Sequence, residues 1–173
     1  MKHFPKEIEM LMKNLVRKGQ ISFPKTGKEK NAVMFVLVWF PQHNCFRVLS
    51  VMEANGTWGL PGGAIDAGED AFHAATREMR EETGHHLDRR FMHKEIKFTF
   101  RGTTRIYMWV YDNPAAHDVK KRAPTREIQG CEFVRLSEFM RAASVDQNTE
   151  DAKIKCGPFI GKMRNCFRNV LAP

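Results

Sequence analysis

No two of the four cysteines, Cys45, Cys131, Cys156 and Cys166, stand at CxxC spacing. That argues against zinc and thiol-redox motifs and leaves reduced packing cysteines as the expectation. The seven histidines show no HExxH spacing, so none is given a catalytic role. The longest apolar run, Ala32 to Phe40, falls far short of the roughly 20 residues of a membrane-spanning helix, and no membrane partner is expected. The opening MKHFPKEIEM has no apolar signal region, so an intracellular protein, cytoplasmic or nuclear, is the expectation. Walker A and GxGxxG patterns are both missing, which excludes a P-loop and a Rossmann phosphate cradle. Internal repeats and low-complexity tracts are absent too.

What is present suits one domain with a sizeable core: 173 residues, 42% of them hydrophobic. The formal net charge of +8 makes most of the surface positive and favours polyanionic partners. Ile8, Leu11, Met12, Leu15 and Val16 recur at helical spacing before Gly19, predicting an amphipathic helix in an N-terminal extension over 1–24. A turn-rich basic connector with Lys25, Lys28 and Lys30 opens the main domain, expected over 25–145. Asn31 to Phe40 reads as a buried strand, with Phe46 to Met52 as its hairpin partner.

Phe91 to Phe100 and Thr104 to Tyr111 form a second predicted hairpin through Arg101, Gly102 and Thr103, its register near the turn left open. Trp109 or Tyr107 there could stack a base. Asn113 to Arg126 is a polar loop with a basic cluster, Lys120, Lys121, Arg122 and Arg126, that could meet substrate. A short strand from Cys131 to Arg135 precedes a helix from Glu138 to Ala143 capped by Ser137. Residues 146–173 hold a final basic helix that begins at Gly157 and Pro158.

The densest chemistry lies between Gly63 and Gly84, GAIDAGEDAFHAATREMREETG. Asp70 to Thr83 is free of Pro and Gly and rich in helix formers, and Gly84 is a natural stop. At about 100° per residue, Phe72, Ala75, Thr76, Met79 and Thr83 make a core face. Glu78, Glu81 and Glu82 gather on another, where small Ala71 and Ala74 leave an approach open. Three carboxylates at such spacing repel one another. Hard divalent cations offset that repulsion, and Mg²⁺ in particular takes a few carboxylates together with substrate phosphates.

The full spacing runs Gly63, five residues, Glu69, seven residues, Arg77-Glu78-Met79, one residue, Glu81-Glu82, one residue, Gly84. It resembles the Nudix box and departs from it only at the final aliphatic position, here His85. The resemblance implies an α/β/α sandwich with a mixed sheet and a pyrophosphohydrolase that uses Mg²⁺ or Mn²⁺. It further implies that Glu78, Glu81 and Glu82 hold metal with a backbone carbonyl near Gly63, that Glu69 lies close by, and that Arg77 orients them. By the same resemblance Glu81 or Glu127 is the general base, with Glu132 as the fallback.

Within the resemblance, the basic residues favour a strongly anionic phosphoanhydride: a diphosphoinositol polyphosphate, a dinucleoside polyphosphate or another nucleoside diphosphate derivative. The alternatives are an mRNA-decapping hydrolase acting on capped RNA and a non-catalytic module that binds nucleotide or RNA.

Overall fold

A computed structural model of the chain describes residues 13, 17, 21–22, 29–54, 56, 58–85, 89–92, 94–100, 102–111 and 128–142, and every structural statement below concerns these. The strands are β1 (Ile21–Ser22), β2 (Asn31–Phe40), β3 (Cys45–Glu53), β4 (Trp58–Gly59), β5 (Gly62–Ala64), β6 (Lys94–Phe100), β7 (Thr104–Tyr111) and β8 (Ile128–Arg135). The helices are α1 (Ala71–Thr83) and α2 (Leu136–Ala142).

One mixed sheet runs β1-β6-β7-β2-β3-β4, with β5 also paired to β2 and β8 to β3. Its centre is the parallel pair β2 and β7, in register from Asn31↔Thr104 to Val38↔Tyr111. The near-continuous apolar character of β2 follows from that position. Ala32, Met34, Val36 and Val38 are fully buried on the side facing α1, and Val33, Phe35 and Leu37 are as deeply buried on the other. A strand covered on both faces makes the sheet a middle layer, as the sequence predicted.

Both hairpins form. β2 turns into β3 through a 3₁₀ turn at Pro41–His43, with Asn44 left-handed at φ 45°. β6 and β7 pair without a bulge from Phe100↔Thr104 to Lys94↔Val110, which resolves the register near the turn. Tyr107, Trp109 and Tyr111 therefore share the α1 side, while Ile106, Met108 and Val110 fill the opposite one.

Three boundaries move. β1 pairs with the end of β6, Ser22 opposite Thr99, so the sheet already begins inside the stretch expected to be a helical extension. Of the helix predicted there, Lys13 and Arg17 are described and both are helical. The last strand reaches back to Ile128 because it follows β3 along its length, Arg135 opposite Arg47 through Ile128 opposite Glu53. α2 begins at Leu136, which puts Ser137 inside its first turn instead of at the cap. The final helix expected in 146–173 lies outside the described residues.

Candidate active site

Helix α1 forms where the sequence placed it, with both ends closed by local chemistry. The Asp70 carboxylate accepts from the backbone N–H of His73 at 2.8 Å, an N-cap that satisfies one orphan donor and holds Asp70 below its usual pKa. At the far end Gly84 adopts φ 72° and its N–H reaches the Arg80 carbonyl at 2.8 Å. A side chain would resist that left-handed turn. Ala74, Ala75 and Met79 are buried against the sheet; burial of Met79 alone contributes about 2 kcal/mol. This packing fixes the helix rotation and with it the direction of each glutamate.

The acidic face is less uniform than helical spacing implied. Glu81 has 59% of its side chain exposed, Glu78 only 17%, and Glu82 as a residue is 8% exposed. Ala74 is fully buried too, so it does not flank an open approach as expected. The reason is geometric: at 100° per residue Glu82 stands nearer the packed side of α1 than Glu81 does.

Arg77 joins the carboxylates. Its Nε donates to Glu69 Oε1 at 3.0 Å and its Nη2 to Glu69 Oε2 at 3.1 Å, a two-point fork. Nη1 donates to Glu78 Oε1 at 2.8 Å and to Glu81 Oε2 at 3.3 Å. Nη2 also reaches the Ala64 carbonyl at 3.2 Å and pairs with Asp66 at 3.4 Å. The Arg77 hydrogen bonds, with one from the Asp66 backbone N–H, hold the Glu69 carboxyl below the ordinary carboxylate range. Arg77 is shifted upward in turn, first by its hydrogen bonds to Glu69 and then by Glu78. Glu69 thus positions Arg77, and Arg77 spans Glu78 and Glu81.

Gly63 completes the arrangement. A Cβ built there would lie 2.5 Å from Glu78 Oε1 and 2.7 Å from its Cδ. Only glycine lets the β5 backbone and this carboxylate come so close. A cradle of that kind beside several carboxylate oxygens and a backbone carbonyl fits a hard divalent cation. Among the described residues no three metal-ligating side chains yet converge on one point; Arg77 stands among them.

Lys30 is exposed just before β2, its N–H donating to the Thr103 carbonyl at 2.7 Å. Lys25, Lys28, Lys120, Lys121, Arg122, Arg126 and the candidate base Glu127 lie outside the described residues. Trp109 is a correction: it is 1% exposed, with Nε1 donating to Glu95 Oε2 at 2.6 Å and Arg89 over its ring at 5.7 Å. It packs beneath Phe72 and offers no free face to a base. Tyr107, also considered for stacking, is 6% exposed and meets Phe72 edge-on at 5.5 Å. Glu132, the fallback base, is half-buried on β8 opposite Ser50.

His85 replaces the aliphatic residue expected at the helix end by placing its ring 6.5 Å from that of Phe133. Cys131 is a free, buried packing cysteine whose thiol reaches the Thr83 carbonyl at 3.5 Å. The sequence reading missed Asp66 and the Ala64 carbonyl as partners of Arg77. Both lie in the spacer between Gly63 and Glu69, where no fixed pattern marks them.

An acidic helix face threaded by one arginine, on a mixed sheet buried on both sides, defines a class that comparison with known proteins makes specific. The NUDIX domain model matches residues 29–154, and the chain belongs to the Nudix hydrolase family, with its α/β/α sandwich. Over 100 residues it is 27% identical to Nudix hydrolase 10 of Arabidopsis thaliana, covering 56% of this chain and 35% of that protein. The chain thus spans about a third of that relative's length. Among solved structures it is similar to a C. elegans Ap4A hydrolase binary complex, at TM-score 0.49 and 19% identity, over 83% of this chain and 97% of the other. It is also similar to the NUDIX domain of Shewanella oneidensis NrtR complexed with ADP ribose, at TM-score 0.47 and 15% identity, over 86% and 91% of the two chains.

Proposed function

We propose that this protein is a Mg²⁺- or Mn²⁺-dependent pyrophosphohydrolase that cleaves a phosphoanhydride bond in a strongly anionic substrate. The substrate class is a diphosphoinositol polyphosphate, a dinucleoside polyphosphate or another nucleoside diphosphate derivative. The observation that carries the reading is the side-by-side placement of Glu78 and Glu81 on Arg77 Nη1, at 2.8 and 3.3 Å, with Gly63 against Glu78. The net charge of +8 supports a polyanionic substrate.

Glu78, Glu81, Glu82 and the Gly63 carbonyl would hold the cation, which when bound supplies Lewis-acid neutralisation of charge at the phosphoryl oxygens. The remaining work belongs to the chain. Glu69 locks Arg77, and Arg77 keeps Glu78 and Glu81 from swinging apart, which is positioning. Glu81, the most exposed of the three, has an oxygen free to take the proton of an attacking water within about 3.2 Å. Glu127 is the other candidate for that proton.

The test is turnover by the purified protein, with Mg²⁺ or Mn²⁺, of inositol pyrophosphate, dinucleoside polyphosphate, nucleoside triphosphate and capped RNA side by side. E81Q should keep its fold and lose activity by about 100-fold or more, the scale of general acid–base catalysis. Undiminished turnover in E81Q removes Glu81 from the mechanism. Capped RNA is the alternative that the same positive surface supports, and fastest release of methylated guanosine diphosphate, weakened by salt, would select it. Binding without turnover of any substrate would instead identify a non-catalytic module.

A further inference from the structure

The sheet row that contains Gly63 continues away from the acidic face. Gly63 is in register with Ala32 on β2, Ala32 with Arg105 on β7, and Arg105 with Thr99 on β6. Partners in register share a face, and Ala32 belongs to the cluster under α1 with Tyr107, two residues from Arg105 on the same strand. The row therefore presents, on the α1 side, the cradle of Glu78, then a small alanine, then a guanidinium and a hydroxyl. At about 4.8 Å between strands, the Arg105 backbone stands roughly 10 Å from that of Gly63.

The two outer members are incompletely satisfied. Arg105 Nη2 is ion-paired with Glu29, each side chain 13% exposed. Its buried Nε has no hydrogen-bond partner among the described residues, and neither has the Thr99 hydroxyl, on a residue 6% exposed. Two buried donors in register, one charged, share an unmet demand for an acceptor. Glu29 satisfies only part of it. That carboxylate lies outside any strand, so turning it aside breaks no sheet ladder.

We infer that Arg105 and Thr99 form an oxyanion subsite for a non-reacting phosphate of the substrate, and that Glu29 occupies it in the free protein as a built-in carboxylate stand-in. Guanidinium donates to carboxylate and phosphate in the same forked geometry. A phosphate offers more acceptor oxygens than Glu29 and can meet Nε and the Thr99 hydroxyl together. The site deepens the pyrophosphohydrolase reading and rests on it: the row joins the scissile end at Glu78 to a second anion position, as a chain of linked phosphates requires.

The probe is inorganic tripolyphosphate, titrated calorimetrically into the full chain in EDTA, where no turnover occurs. E29Q removes the resident charge and should tighten binding by roughly tenfold; T99V removes one hydrogen bond and should weaken it by roughly threefold. T99S, which keeps the hydroxyl, should restore the wild-type affinity. With Mg²⁺ and diadenosine tetraphosphate, T99V should raise KM by the same factor and leave kcat unchanged. Affinities within twofold of wild type for both E29Q and T99V overturn the subsite, even if the protein hydrolyses every substrate offered. Binding that follows the variants in a protein without turnover keeps the subsite and overturns the hydrolase reading.

Discussion

Gly63→Ala isolates the geometry of the acidic face from its chemistry. The new methyl carbon would sit 2.5 Å from Glu78 Oε1, 2.7 Å from Cδ and 3.1 Å from Oε2. An ordinary carbon–oxygen contact needs about 3.4 Å, so the carboxylate must retreat by roughly 0.9 Å. Its 2.8 Å hydrogen bond from Arg77 is then lengthened or broken. Because the obstacle is the end of a flexible side chain, the fold itself need not move. Losing much of one charge-assisted hydrogen bond costs about 1.5 kcal/mol. Replacing glycine where φ is not left-handed returns about 0.5 kcal/mol through the unfolded chain.

The net is about 1 kcal/mol of stability, or a melting temperature lower by roughly 3 °C. A displacement near 1 Å in a positioned reacting group, by contrast, costs about 100-fold in rate. The assay is kcat with Mg²⁺ beside a thermal melt followed by circular dichroism. Gly56→Ala is the control: Gly56 has φ +81° and nothing within 4 Å of its built Cβ. It should lose about 1 kcal/mol from backbone strain and keep full turnover. A folded G63A enzyme with wild-type kcat would refute the reasoning, because Glu78 would then have no positional part in the reaction.

Glu95→Ala should lower the melting temperature by roughly 4 to 8 °C, about 2 kcal/mol. It strands the indole N–H of buried Trp109, which Glu95 now accepts at 2.6 Å; an unchanged melting temperature would show that water replaces the carboxylate at no cost. Acid should destabilise the protein through Glu69 and Asp70, both with lowered pKa values in the fold. The sign follows from linkage: their contribution is present above the unfolded carboxylate range and is lost as pH falls through the folded values. Glu69→Gln should flatten that acid limb in denaturant titrations, and a curve that keeps its slope would remove Glu69 from the account. EDTA should abolish hydrolysis while leaving the thermal transition largely intact, since the core under α1 is apolar; loss of the folded transition on chelation would contradict this.

Much of this was legible in the chain because it depends on local rules. A Pro- and Gly-free segment between Asp70 and Gly84 specifies a helix and its glycine stop, and Asn31 to Phe40 announces a strand buried on two faces. The spacing from Gly63 to Gly84 marked the carboxylates, Arg77 and the glycine that gives Glu78 room. Tertiary packing decided what each of these side chains meets. Trp109 looked able to stack a base until Phe72, Glu95 and Arg89 closed around it. Glu82, adjacent to exposed Glu81, turned out buried because the rotation of α1 is set by Met79 and the alanines against β2. The pairing of Arg105 with Glu29 joins residues 76 positions apart, a contact no local pattern encodes. Periodicity and spacing are properties of neighbours along the chain, whereas burial and long-range pairing depend on which strands lie side by side, and that exists only once the sheet has formed.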